Sequence, residues 1–146
     1  MRPEAPDRGG ARENGGVSSS RRLTVLTLVT DAVLVVVFAA IGRATHDGAV
    51  LGPLGTGLLT TVWPFLAALA LGWLVTGVWR APLALVRTGL PLWAITVVLG
   101  VILRAASGQG IAIAFVIVAA ITLAVFLLGW RAIALLIVRS RRRATR

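Results

Sequence analysis

Four long apolar runs, separated by short polar or arginine-containing segments, set the pattern of the chain. Each run has at least the length of about 20 residues that an α-helix needs to cross the hydrocarbon core of a bilayer. The core offers no water to unpaired backbone groups, so apolar runs of this length are helical. The sequence therefore predicts an all-α fold, an integral membrane four-helix bundle with short loops. The predicted spans are residues 23–42, 58–79, 83–103 and 111–138.

The two ends of the chain differ from the apolar runs. Residues 1–22 are rich in Gly, Ser and Arg and hold too few apolar residues to form a core, so we predict a disordered tail. Residues 139–146 contain five arginines and are predicted to form a basic tail. A single four-span domain, residues 23–138, lies between them.

Two local features refine the predicted bundle. Gly89-Leu90-Pro91 predicts a break or kink early in the third span, because proline cannot donate to the helical hydrogen-bond ladder. Helices in lipid pack closely where small residues stand four positions apart. The second, third and fourth spans each carry one such pair: Ala68 and Gly72, Thr96 and Gly100, and Ala120 and Ala124.

The arginines fall mainly on one side of the four predicted spans. That side carries Arg21, Arg22, Arg80, Arg87 and the cluster in residues 139–146, whereas the other side carries Arg43 and Arg104. Cytosolic loops carry the excess of positive charge in membrane proteins. We therefore predict a multi-pass protein of the cytoplasmic membrane with both termini in the cytosol.

Composition removes several classes of function. Apolar residues make up 58% of the chain and charged residues 14%, and the mean hydropathy is +0.92, which indicates a bilayer partner. The absence of cysteine excludes disulfides, thiolate nucleophiles and thiolate metal sites. A net charge of +10 would suggest nucleic acid in a soluble chain. Here the charges stand at span ends, with no basic face interleaved with aromatic residues, so we predict no nucleic-acid partner.

Asp31 is the one charged residue inside the first run. It follows Leu23 by eight residues, which places it about 12 Å into the apolar core. A carboxylate at that depth needs a partner, a proton or a water-filled cavity. We predict an intramembrane polar site of Asp31, Arg87 and Arg131, in which Asp31 either binds a proton, cation or ligand or pairs with one of the arginines. In a third interpretation a protonated Asp31 bonds to one of three threonines, Thr27, Thr96 or Thr122.

Arg131 interrupts the fourth run directly after Gly129 and Trp130. The pattern favours an Arg131 that faces lipid and extends its side chain to the cytosolic headgroups. In the alternative, Gly129 lets a neighbouring helix approach and Arg131 points inward to Asp31. The five tryptophans fall mostly near span ends and are interpreted as an aromatic belt: Trp63, Trp73, Trp79, Trp93 and Trp130.

The outward-facing loops and span ends collect a second polar cluster, which consists of Arg43, His46, Asp47, Arg104 and Gln109. His46 and Asp47 supply two donors, fewer than zinc requires, so we predict no metal and no cofactor. Adjacent His and Asp side chains are poorly placed to orient one another, and Ser107 lacks a nucleophile elbow. We therefore predict no catalytic residues. The two arginines either hold an anionic headgroup or substrate, or anchor the span ends at the interface.

The pattern of isolated polar, aromatic and small residues resembles that of a known family. The matching positions are Asp31, residues 38–46 (FAAIGRATH), Trp63-Pro64-Phe65, Gly72-Trp73, residues 93–104, residues 108–110, Phe115 and Gly129-Trp130-Arg131. Over about residues 23–135 the chain resembles domain-of-unknown-function family 3054, small membrane proteins of bacteria and archaea. The resemblance implies a four-span integral membrane protein and supplies no activity, substrate or cofactor.

Three functional hypotheses remain open at this point. In the first, a non-enzymatic membrane protein binds or moves a small solute or proton through the polar site around Asp31, as a homodimer. In the second, the chain is an accessory or scaffold subunit of another membrane protein and Asp31 is a structural contact between helices. The third, a lipid- or isoprenoid-modifying membrane enzyme, is disfavoured because candidate catalytic side chains are too few.

Overall fold

Four long helices make up the fold. The computed structural model describes residues 10–46, 51 and 56–144, except for the side chains of residues 10–19, 46 and 142. In this part of the chain the helices are α1 (Gly10–His46), α2 (Thr56–Thr76), α3 (Leu90–Ala106) and α4 (Ile113–Ala144). Each contributes a segment that is long and apolar enough to cross a membrane: Ser20–Thr45, Thr56–Thr76, Leu85–Ala106 and Ile113–Arg141. The predicted four-helix membrane bundle is confirmed.

Two helices extend beyond the predicted spans. Helix α1 begins at Gly10, within the segment predicted to be disordered, and α4 continues to Ala144 through the predicted basic tail. The apolar part of each helix supplies a stable nucleus, and adding residues to an existing helix carries no further nucleation cost. The polar flanks therefore continue the helices, a contribution that composition alone does not reveal.

Neighbouring helices run antiparallel, because residues that come later in one helix contact residues that come earlier in the next. The pairs are Asp31 with Trp73 and Arg43 with Thr61 for α1 and α2, Gly72 with Leu92 and Phe65 with Gly100 for α2 and α3, and Gly89 with Leu128 and Arg104 with Phe115 for α3 and α4. The early turns of α1, the 77–89 connection and the last turns of α4 therefore share one end of the bundle, which we call the basic end. The opposite end contains residues 107–112.

The third span begins with an irregular connection. After α2 ends, Gly77 adopts a left-handed conformation with φ 59°, and a short 3-10 turn follows over Val78–Arg80. One π-helical turn, Leu85–Gly89, then leads directly into α3. Pro91 has no N–H to donate to the preceding turn, which weakens the helical ladder at this point. The irregularity predicted near Gly89 is present as a change from π to α geometry, while Gly89 itself keeps a right-handed helical backbone with φ −63° and ψ −52°.

Helices α2 and α3 make a close interface at glycine. A Cβ atom placed on Gly72 would lie 2.7 Å from Leu92, and one placed on Gly100 would lie 2.5 Å from Phe65. Phe65 also packs edge-on against Phe38 of α1, with ring centroids 5.2 Å apart. Without a hydrophobic driving force between helices in lipid, such close approach is a main source of association. The small-residue contacts predicted for the second and third spans are confirmed.

We expect Gly100→Ala to destabilise the bundle by about 1–3 kcal/mol, because the added methyl group must displace the fully buried Phe65 ring. The matched control is Gly129→Ala in α4, where no atom outside the local helix lies within 4 Å of the new Cβ. This control should leave stability unchanged or raise it by up to about 1 kcal/mol. The measurement is the unfolding midpoint in mixed detergent micelles. Equal midpoints for the two variants would contradict the packing argument.

The outer surface of the bundle is apolar along its length. Large apolar side chains on all four helices are exposed, among them Leu26, Val33, Leu74, Val75, Val98, Ile102, Ile121 and Val125. A surface of this kind requires a lipid environment, since water would not accommodate contiguous apolar area on this scale. The chain is a multi-pass membrane protein.

Candidate functional site

The polar centre of the bundle is an ion pair between α1 and α4. Arg131 donates from Nη1 to Asp31 Oδ1 at 2.8 Å and from Nη2 to Oδ2 at 2.6 Å. Both side chains are 0% exposed. The planar guanidinium matches the carboxylate fork, so the contact carries geometry as well as charge.

Two tryptophans complete the coordination of Asp31. Trp73 on α2 donates its indole N–H to Oδ2 at 3.2 Å, and Trp130 on α4 donates to Oδ1 at 2.9 Å. Each carboxylate oxygen therefore accepts two N–H groups, which uses about the four acceptor positions that a carboxylate has. Three helices meet at this one side chain.

Arg131 also binds the backbone on two sides. Its Nη1 donates to Leu127 O at 2.8 Å, one turn earlier in α4, and its Nε donates to Pro82 O at 3.2 Å. Pro82 lies in the connection between α2 and α3, so the arginine ties that connection to α4. Its Cδ lies 3.3 Å from the position that a Cβ on Gly89 would occupy. A larger residue at position 89 would therefore crowd the arginine.

The irregular connection makes the Pro82 carbonyl available. The Gly77 N–H donates to Trp73 O, which closes α2 with the left-handed residue that favours glycine. Farther along, Gly89 N–H donates to Ala84 O in the π turn, and the Thr88 hydroxyl donates to Ala81 O at 2.9 Å. These bonds secure the connection without using Pro82 O, which Arg131 then occupies.

Burial in lipid makes this centre costly to disturb. An isolated charge in the bilayer interior is strongly unfavourable, and a buried pair is tolerated only when its remaining donors and acceptors are satisfied. Among the described residues, no buried side-chain nitrogen or oxygen lacks a hydrogen-bond partner. The centre is therefore a closed network, in which each charged group depends on the other.

The structure separates the interpretations of Asp31 and Arg131. The lipid-facing Arg131 is wrong: Asp31 offers a full set of acceptors inside the bundle, and the side chain turns inward to it. In the inward-pointing alternative, Gly129 was expected to admit a neighbouring helix, but a Cβ on Gly129 would have open space around it. Gly89 provides the close approach instead. Arg87 is exposed.

The threonine interpretation of Asp31 is also not what the structure contains. The hydroxyls of Thr27 and Thr96 donate to carbonyls of their own helices, Leu23 O and Leu92 O. A threonine hydroxyl in a helix has a carbonyl of the preceding turn within reach, and this local bond competes with longer contacts. The bonds that Asp31 receives come from Arg131, Trp73 and Trp130.

Sequence reasoning missed the role of the tryptophans at the ion pair. Trp73 and Trp130 were interpreted with the other three as an interfacial belt. A signal was present, because the indole N–H of a tryptophan buried below the headgroups needs an acceptor, and Asp31 was an acid in need of donors. Trp93 follows the same logic, since its N–H donates to Ala120 O at 2.9 Å.

The predicted outward-face cluster is resolved in part. Arg104 donates to Gln109 Oε1 at 2.9 Å and to Gly110 O at 3.2 Å, and lies over the Phe115 ring at 4.4 Å. Arg43 donates to Thr61 at 3.3 Å. The side chain of His46 and the whole of Asp47 lie outside the described residues.

These contacts give both outer arginines a local structural role. Arg104 closes the turn between α3 and α4, and Arg43 ties α1 to α2.

Comparison with known proteins gives one match. The model of a family described as "Protein of unknown function (DUF3054)" matches residues 28–134, which include the ion pair and both of its tryptophans. No curated protein and no solved structure matches the chain.

Proposed function

This chain belongs to the family of proteins of unknown function DUF3054, and we propose that it is an accessory or scaffold subunit in which Asp31 and Arg131 fix the arrangement of the helices. One observation carries the proposal: both oxygens of Asp31 are fully used by donors from the chain itself, and the carboxylate is 0% exposed. A transport site must be reached by water or solute at some stage of its cycle. The pair has the properties of a lock between helices.

A second candidate is the movement of a small solute or proton through this centre, and one observation favours it. The connection that holds Pro82 is irregular and includes a π turn. Single π turns are frequent at functional sites, and interrupted helices form the binding sites of many transporters. Because Arg131 binds Pro82 O, a movement of this connection would pull Arg131 away from Asp31. The two candidates differ in the expected effect of Asp31→Asn on folding.

We also propose that the chain is not an enzyme and that its termini lie in the cytosol. The polar side chains of the outer turn support the first point, since the Ser107 hydroxyl donates to Arg104 O and accepts from Gln109. The arginines at the basic end support the second, because cytosolic segments carry the excess of positive charge. This orientation is proposed for a protein of the cytoplasmic membrane.

The scaffold proposal requires a partner in the membrane, and we propose that α4 is the helix that contacts this partner. A smaller share of its span is buried than in the other three spans. Its exposed apolar residues include Ile121 and Val125. The partner is either a second copy of this chain or another membrane protein.

Site-directed cross-linking tests this proposal, and the cysteine-free chain allows single cysteines to be placed at will. With a photoreactive maleimide on Val125→Cys in native membranes, we expect a discrete protein adduct. Val98→Cys on α3 is the matched control, because that residue is similarly exposed, and it should react with lipid alone. Absence of a protein adduct at Val125 would exclude the proposed face. Labelling of Ser20→Cys and Ser107→Cys with an impermeant maleimide checks the orientation.

A further inference from the structure

We propose that the basic end of the bundle binds anionic phospholipid headgroups through a ring of exposed arginines. The ring, which we call the arginine collar, consists of Arg21, Arg22, Arg80, Arg87 and Arg139. The proposal concerns a surface outside the ion pair and does not depend on whether that pair is a lock or a transport site.

Collar residues on α1 and α4 lie at one level along the bundle. Arg22 precedes Asp31 by nine residues and Arg139 follows Arg131 by eight, so each lies about 12–14 Å from the ion pair along its own helix. Since half of a hydrocarbon core is about 15 Å thick, this level corresponds to the headgroups if the ion pair lies near the middle. Arg80 and Arg87 stand closer to the pair, since each is two residues from a position that contacts Arg131, namely Pro82 O and Gly89. The long side chain of an arginine extends from such a position toward the headgroups.

The described side chains offer the collar no acid. Asp31 is the one carboxylate among them, and it is buried and occupied by Arg131, Trp73 and Trp130. The collar arginines are exposed, and their charge is available to groups outside the bundle. Anionic headgroups near such a surface are attracted by about 1 kcal/mol per arginine.

The environment of Arg80 supports a lipid partner in particular. Its Cδ and the ring of Trp79 lie 3.6 and 3.9 Å from the position that a Cβ on Gly77 would occupy, so both side chains fold back over the left-handed glycine. Trp79 is half exposed. A tryptophan beside a cation at the end of a span is typical of the headgroup region, where the ring is apolar and its N–H is wet.

The distribution of charge also favours lipid over a protein partner. Collar residues come from three separate parts of the chain, which are α1, the connection between α2 and α3, and α4. A ring of single charges matches mobile headgroups that arrive independently. A folded acidic partner would require several charges on one side.

Lipid selectivity in reconstituted vesicles tests the proposal with the full chain. The vesicles contain phosphatidylcholine, and spin-labelled phosphatidylglycerol or spin-labelled phosphatidylcholine reports the lipid in contact with the protein. We expect a preference for phosphatidylglycerol of about five-fold, the factor that one such charge is worth at an anionic surface. The preference should fall as salt is raised from 0.05 to about 0.5 M.

A pair of matched variants locates the selectivity. Arg22→Gln with Arg80→Gln removes two collar charges and should reduce the preference to less than half. Arg143→Gln with Arg146→Gln removes two charges farther along the chain and should leave most of it. The variants must first elute as folded protein in detergent, which the exposed positions of Arg22, Arg80 and Arg143 predict.

Three results would overturn the proposal: no preference in the unaltered chain, an equal loss in both variants, or the same preference in the collar variant. The proposal would also be overturned if the lipid preference is absent and a soluble poly-glutamate peptide binds to the unaltered chain but not to the collar variant. That result would assign the collar to an acidic protein partner instead.

Discussion

Asp31→Asn should destabilise the bundle by about 3–5 kcal/mol, the cost of leaving one charge of a buried pair without its partner. The substitution keeps the shape of the side chain but replaces one acceptor oxygen by an NH2 group. That group would face the N–H of a tryptophan and an N–H of Arg131. Arg131 cannot lose its proton, so its charge would remain at 0% exposure without a counter-ion.

The unfolding midpoint in mixed micelles and the fraction of monodisperse protein on gel filtration measure this effect. Thr27→Val is the matched control, because Thr27 is equally buried, lies one turn from Asp31 and bonds within its own helix. Removal of its hydroxyl strands no partner, since Leu23 O keeps its helical bond, and the midpoint should shift little. An Asp31→Asn variant as stable as the unaltered chain would contradict the lock and favour transport.

The two partners of the pair are not equivalent in this respect. Removing Arg131 leaves a carboxyl group that a proton can neutralise and that Trp73 and Trp130 still contact. Removing Asp31 leaves a guanidinium that no proton transfer can neutralise. The lock therefore depends more on the acid than on the base, although each side chain makes four hydrogen bonds.

The parts of the fold that the sequence predicted are those that depend on local pattern. Run length predicted the four spans, because the thickness of the bilayer fixes the length of a helix. The irregular helix geometry near Gly89 followed from Pro91, and the contacts of Gly72 and Gly100 followed from their small size. Each of these properties belongs to one segment of the chain.

The centre itself escaped prediction because it depends on which helices are neighbours. Asp31 and Arg131 are separated by 100 positions, and the sequence does not specify which face of α4 turns inward. The prediction of a lipid-facing Arg131 that extends to the headgroups rests on the properties of this residue alone. The inward orientation depends on the two Asp31 oxygens and on Pro82 O, acceptors that only the assembled bundle brings to Arg131.

If the ion pair is a lock, it can be replaced by apolar packing of similar volume. Asp31→Leu combined with Arg131→Met removes both charges, so neither is stranded, and the double variant should be more stable than either single variant. We expect the coupling between the two sites to exceed about 2 kcal/mol, because the residues are in direct contact. The double variant still leaves the N–H groups of Trp73 and Trp130 without their acceptor, which costs about 1–3 kcal/mol each.

Adding Trp73→Phe and Trp130→Phe removes those two donors as well. The resulting quadruple variant holds no charged group at the former ion pair and should recover most of the original midpoint. Under the scaffold proposal it should also form the same α4 adduct as the unaltered chain, because the lock acts only by holding the helices in place. A quadruple variant that folds but no longer forms this adduct would contradict that proposal, since the charges would then have a role beyond the arrangement of the helices.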